Sequence, residues 1–246
     1  MDIQYTNRAL RAKKLADFLC ICRDSGEWDA PEELDALEHR LHQVDTFEQD
    51  IQTYYPEGDF SWRPDQTILL CGSIAMAGTE FLGRYRAREL CTRLPERFIR
   101  EGLNFTEQIS RYPSAGQLKT LGVTAIYPVG EGGLYRPLFQ LGRDSGLGFR
   151  IAYSEVPVRQ ETIEFCEFYD LDPWQLFSCG CVLLVADRGS VVRRALESVG
   201  MPCHTLGYLE KGKDKLICHP EIESRVNRPQ PDALLTVLKQ GLEEPR

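Results

Sequence analysis

Two hydrophobic rhythms divide this chain. From Thr6 to about Tyr55, apolar residues recur at three- and four-residue steps: Leu15, Phe18, Leu19 and Cys22, then Leu34, Leu37, Leu41 and Val44, with Phe47 and Ile51 continuing the stripe. That spacing marks one face of a helix. The two runs are separated by DSGEWDAP, where Gly26 and Pro31 break the pattern, so the stretch predicts a helical hairpin. From Gln66 onward, short apolar runs alternate with amphipathic ones. TILLCGSIA, LGVTAIYPVG, FRIAYSEVPV and CGCVLLVAD read as strands; GTEFLGRYRARELCTRL, PERFIREGLNFTEQISRY, RQETIEFCEFYDL and RGSVVRRALESVGMP read as helices. DPWQLF has a helix-start signature, with Asp172 as N-cap and Pro173 at the first helical position. CHTLGYLEKGKDKLICH reads as two strands joined at Lys211–Asp214.

Interleaved strands and helices predict an α+β (α/β layered) domain, a mixed sheet flanked by helices and preceded by the N-terminal hairpin. PEGDFSWRPD, Pro56 to Asp65, carries two prolines and a glycine and reads as the linker. The expected division is therefore 1–65, hairpin and linker, and 66–246, the layered domain. The exposed positions of the first helix are mainly basic (Arg8, Arg11, Lys13, Lys14), whereas Glu27 to Asp50 holds nine acids and one arginine. Surface ion pairs add only about 0.2–1 kcal/mol each, so apolar faces must hold such a pair together. Two helices bury little, which leaves the hairpin to dock on its own domain, on a partner protein or on a second copy of the chain.

Composition narrows the function. With 246 residues, 42% hydrophobic and 27% charged, the chain has an ordinary globular make-up. Its net charge of -8 argues against nucleic-acid binding, which needs clustered Lys and Arg to neutralise phosphates. No apolar run approaches the roughly 18 residues of a membrane span, and MDIQYTNRALRAKK has no apolar core of a secretory signal; both point to the cytoplasm. Nine cysteines, an odd count mostly within apolar runs, read as reduced thiols acting as small hydrophobes. Cys203-His204 and Cys218-His219 lack metal-clamp spacing, and Cys179-Gly180-Cys181 reads as a small-residue strand start. His39 and His42 sit on the acidic helix. There is no nucleophile elbow and no GxxxxGK[ST] loop. No catalytic residue, metal or cofactor is assigned.

The strongest candidate chemistry lies in VGEGGLYRPLFQLGRDSGLGF, Val129 to Phe149. A glycine turn opening a helix presents N–H groups and a partial positive charge to an anion. Gly132 and Gly133 permit close backbone approach, Pro137 gives up no needed donor, and Arg136 and Arg143 can add charge-assisted contacts. Glu131 opposes a phosphate but suits the helix dipole as an internal cap. Two readings stay open: an anion site for a phosphorylated small-molecule ligand, or a structural turn.

The ordered series of motifs resembles the C-terminal domain of the AIR synthase-related superfamily, which includes aminoimidazole ribonucleotide synthetase, selenophosphate synthetase, thiamine-monophosphate kinase and HypE; it looks most like the HypE-like branch. The residues that carry the resemblance are Gly132-Gly133-Leu134, Val156-Pro157-Val158-Arg159, Asp172-Pro173, the turn from Cys71-Gly72-Ser73 to Gly78-Thr79, and Leu206-Gly207. It covers Gln66 to Leu238. The resemblance implies that Glu131, Gly132, Gly133, Arg136, Gly72 and Ser73 line one wall of a ligand cleft. Family enzymes also carry an N-terminal domain with an acidic nucleotide- and Mg-binding loop; residues 1–65 do not resemble it. HypE ends in a cysteine, whereas this chain ends GLEEPR. The expectation is a binding or assembly module related to metalloenzyme maturation, lacking a complete ATP site; the alternative is a subunit whose nucleotide-binding half comes from a partner chain.

Overall fold

The computed structural model describes residues 62–103, 105, 108, 115–178, 180–234, 236 and 237; the hairpin expected before Trp62 lies outside them. The runs TILLC and CVLLVA lack a polar face, and the structure shows why: β1 (Thr67–Cys71) and β4 (Cys181–Ala186) are buried on both sides. Side chains alternate across a strand. Ile68, Leu70, Leu183 and Val185 therefore enter one core, and Leu69, Cys71, Leu184 and Ala186 the other.

The remaining strands are β2 (Val123–Val129), β3 (Gly148–Ala152), β5 (Cys203–Glu210), β6 (Lys215–Cys218) and β7 (Glu223–Arg225), in the spatial order β2-β4-β1-β5-β3-β6-β7. All pairings are antiparallel except β3 with β6. The larger core is covered by α1 (Met76–Tyr85), α3 (Glu96–Gly102), α5 (Tyr135–Ser145) and α6 (Gln160–Tyr169), with the short α2 (Ala87–Leu90) continuing from α1. The smaller core lies under α4 (Ala115–Thr120) and α7 (Gly189–Ser198), through Leu118, Val192 and Leu196. This is the expected mixed sheet between helices. Among the described residues no helix is long and apolar enough to cross a membrane.

Three local expectations change. GTEFLGRYRARELCTRL is interrupted at Arg86. DPWQLF makes one capped turn rather than a helix: Asp172 Oδ1 accepts the Trp174 N–H at 2.9 Å. The Trp174 and Gln175 carbonyls then turn to the N–H groups of Leu134 and Ala233 instead of propagating a helix. The strands around Lys211–Asp214 exist, but β3 lies between them. Cys203-His204 on β5 and Cys218 on β6, with His219 just beyond it, thus belong to non-adjacent strands.

Candidate functional site

β1 and β2 finish at the end of the sheet where β4 begins: Val129 faces Cys181, and Cys71 faces Val182. That register brings the turns after Cys71 and Val129 to either side of the segment entering β4. Ser178 joins them. Its N–H donates to the Gly130 carbonyl at 3.2 Å, and its hydroxyl oxygen accepts the Ala75 N–H at 2.7 Å. Ala75 is left-handed at φ 63, a conformation costly for a residue with a Cβ. Gly72, at φ 82, donates to the Pro202 carbonyl at 3.0 Å; Ser73 beside it is half-buried. Five of the six candidate positions thus lie in two turns at one end of the sheet, held by one serine, and Arg136 stands in the first turn of α5.

The Gly-Gly turn opens α5 as the sequence predicts, and its donors have internal acceptors. Gly133 N–H reaches the Gly130 carbonyl at 3.1 Å, and Leu134 N–H the Trp174 carbonyl at 2.8 Å. Gly132 N–H donates to Asp232 Oδ2 at 2.6 Å. The other carboxylate oxygen, Oδ1, accepts the N–H groups of Phe177 at 3.2 Å and Leu234 at 2.9 Å. Asp232 is 4% exposed. Burial pushes its carboxyl up to about 6, with the neighbouring Glu131 charge adding to the rise and the three N–H bonds opposing it.

Glu131 is itself buried, and its Oε1 lies 3.8 Å from Arg136 Nη2. Arg136 Nε is buried with no hydrogen-bond partner among the described residues. Arg143 stands apart, in the last turn of α5, paired with Asp144 at 3.3 Å. Beside the turn is an aromatic stack. Tyr153 lies between Trp174 (centroids 5.1 Å, planes at 1°) and His219 (4.4 Å, 29°), and Tyr135 packs on Trp174 at 5.5 Å. Burial, then the Asp172 carboxylate, raises the Tyr135 phenol above its usual value.

The arrangement can hold an oxyanion between two backbone N–H groups, with Arg136 alongside; in this structure the oxyanion is the chain's own Asp232. Among the described residues no His, Cys, Asp or Glu cluster could hold a metal ion. Sequence reasoning missed Ser178 and Asp232. Ser178 carries no local signal. Asp232 does: it precedes the apolar run ALLTVL and has the form of a helix N-cap.

Comparison with known proteins places this chain in a family. Residues 63–219 match the family described as AIR synthase related protein, C-terminal domain. A curated relative, carbamoyl dehydratase HypE of Azotobacter vinelandii, is 30% identical over 137 residues, covering 53% of this chain and 33% of the relative. Among solved structures, E. coli HypE aligns with a TM-score of 0.56 at 18% identity, over 71% of this chain and 53% of that one. Two further HypE structures align at a TM-score of 0.52. The HypE–HypF complex is 21% identical and covers 68% of this chain and 54% of that one. HypE with ATP is 15% identical and covers 70% and 53%. The chain thus spans about a third of the length of the curated relative and about half of the solved HypE chains. With more than half of its length matched, the chain belongs to the AIR synthase-related family, in the C-terminal domain, and its curated relatives include a carbamoyl dehydratase HypE and a hydrogenase expression/formation protein HupE.

Proposed function

We propose that the chain is a binding or assembly module related to the HypE maturation factors, working without a complete ATP site of its own. The observation that carries this reading is Asp232. The backbone donors best placed for a phosphoryl oxygen, Gly132 N–H and Phe177 N–H, already hold a buried carboxylate. A phosphorylated ligand at Glu131, Gly132, Gly133, Arg136, Gly72 and Ser73 would first have to displace it. Engagement of a partner protein is in keeping with a relative solved in complex with HypF. Residues 1–65, with their basic and acidic amphipathic stretches, are the proposed docking segment, for a partner or a second copy, in the cytoplasm. Residues 66–246 are the proposed layered unit.

A second reading is favoured by one feature. The buried Arg136 Nε has no hydrogen-bond partner among the described residues, as expected of a group awaiting a phosphate. In that case a partner chain supplies the nucleotide-binding half and this chain supplies the far wall. Native mass spectrometry of the full chain, with and without ATP and magnesium, tests the first reading, because an adduct on this chain alone requires a phosphate site at the far wall. The module reading expects no nucleotide adduct. A Mg-ATP adduct that disappears in Arg136→Gln would replace it with the second reading.

A further inference from the structure

The mouth of the sheet contains a pair of thiols that neither reading uses. Cys71 is the last residue of β1 and Cys203 the first of β5, and the two are directly opposite in the antiparallel register. Directly opposed residues in such a ladder have Cα atoms about 4.5–5.5 Å apart, within the roughly 4.4–6.8 Å span of a disulfide. Both side chains point into the same, smaller core, and the sulfurs are 2.9 Å apart. A disulfide bond is about 2.05 Å long, so the sulfurs need to close by less than about 1 Å.

No other described cysteine competes. Cys181, diagonal to Cys71 on β4, enters the opposite core and donates to the Ser178 carbonyl at 3.3 Å. Cys166 lies in that same opposite core, Cys91 is exposed, and Cys218 is two strands beyond β5.

We infer that Cys71 and Cys203 form a reversible cross-strand disulfide when the protein meets a peroxide. The steps balance. The Cys71 thiol, on losing its proton, attacks one oxygen of hydrogen peroxide; the O–O bond breaks, water leaves, and a sulfenic acid remains on Cys71. The Cys203 sulfur attacks that sulfenic sulfur, and the hydroxyl leaves as a second water with the Cys203 proton. Two thiols are oxidised by two electrons, and one peroxide is reduced to two waters. Cys71 is fully buried and Cys203 nearly so. The Cys203 thiol and burial hold the Cys71 thiol well above its ordinary value. Little thiolate is therefore present, and the reaction waits on fraying of the strand ends. Oxidation is slow and selective.

The bond would clamp the base of the Gly72–Ser73 turn, whose Gly72 N–H already reaches over to Pro202. It would close a loop of more than a hundred residues, for which constraint of the unfolded chain is large.

The test is peptide mapping of the full chain after hydrogen peroxide treatment, with remaining thiols alkylated under denaturing, non-reducing conditions. The expected product joins the Cys71 and Cys203 peptides, is two hydrogens lighter than the pair, and separates on reduction. Alongside it, Tm should rise by several degrees and return with dithiothreitol; Cys203→Ser should show neither change. The inference is overturned if both thiols still take the alkylating agent while exposed Cys91 has oxidised, or if Cys71 is found bonded to another cysteine. The wild-type map decides the matter alone should the serine variant fold poorly.

Discussion

Gly133 and Gly146 form a matched pair at the two ends of α5, with nearly the same backbone, φ 62 and φ 64. A methyl group at Gly146 would meet nothing within 4 Å. One at Gly133 would sit 2.1 Å from the Trp174 carbonyl oxygen and 2.7 Å from its carbon. Both alanine variants bear the left-handed cost, about 1–2 kcal/mol. Gly133→Ala must also move a backbone carbonyl that holds the Leu134 N–H at 2.8 Å. Overpacking there adds about 1–3 kcal/mol, and leaving a buried backbone group without its partner about 1–3 kcal/mol. The expected gap between the two variants is therefore about 2–6 kcal/mol, large against a typical domain stability of about 5–15 kcal/mol. Urea unfolding of wild type, Gly133→Ala and Gly146→Ala reads it as midpoint shifts at constant slope. Variants within about 1 kcal/mol of each other would refute the reasoning, because the Trp174 contact would then not fix the turn. The same clash makes any Gly133 variant a poor probe of ligand binding, which is why Arg136→Gln is used for that purpose.

Two further outcomes follow from the same corner of the fold. Asp232 has a folded-state value of about 6 against an ordinary 3.8, so its contribution to stability is full below about pH 3.8 and is lost as pH rises through about 6. Two units amount to at most about 3 kcal/mol; Asp232→Asn should gain on wild type by up to that much between pH 4 and 7 in urea melts, and parallel pH curves would show the carboxyl is not perturbed. Ser178→Ala removes the acceptor of the Ala75 N–H and should cost about 1–3 kcal/mol; a loss under about 0.5 kcal/mol would mean the serine does not hold the two turns together.

How far the sequence reaches depends on the range of the forces involved. β1 and β4 were legible because burial on both faces writes an unbroken apolar run. α7 was legible because Val192 and Leu196 recur at helical spacing and Gly200 and Pro202 follow. The partners of β6 were not legible. KLIC is short, and its parallel pairing with β3 depends on a chain segment more than sixty residues earlier, so the local turn at Lys211–Asp214 suggested a hairpin that does not form. DPWQLF failed for a related reason: its N-cap signal is real, but the acceptors needed to extend a helix are taken by Leu134 and Ala233. The glycines of the candidate site were legible from the left-handed turn they allow. What fills that turn was not, since Asp232 lies a hundred residues away along the chain.

That distance bears on what the Gly-Gly turn is for. A glycine pair retained only to reverse the chain would require the contacts made by Gly133 with Gly130 and Trp174, and nothing at Gly132 N–H. Yet Gly132 N–H makes a 2.6 Å bond to a carboxylate that also spans Phe177 N–H. Bringing that carboxylate in costs desolvation, visible in its raised value, and sets it near Glu131. Asparagine could not take its place, because its single carbonyl oxygen cannot serve donors on both sides and its NH2 would face one of them. The geometry is therefore that of an oxyanion receptor whose occupant comes from the chain itself. Asp232 explains how the turn keeps that shape. Whether an outside oxyanion can take its place depends on the balance between three backbone hydrogen bonds and the repulsion from Glu131; the change with pH in the gap between wild type and Asp232→Asn reads the charge side of that balance, over a constant offset from the acceptor that the amide lacks.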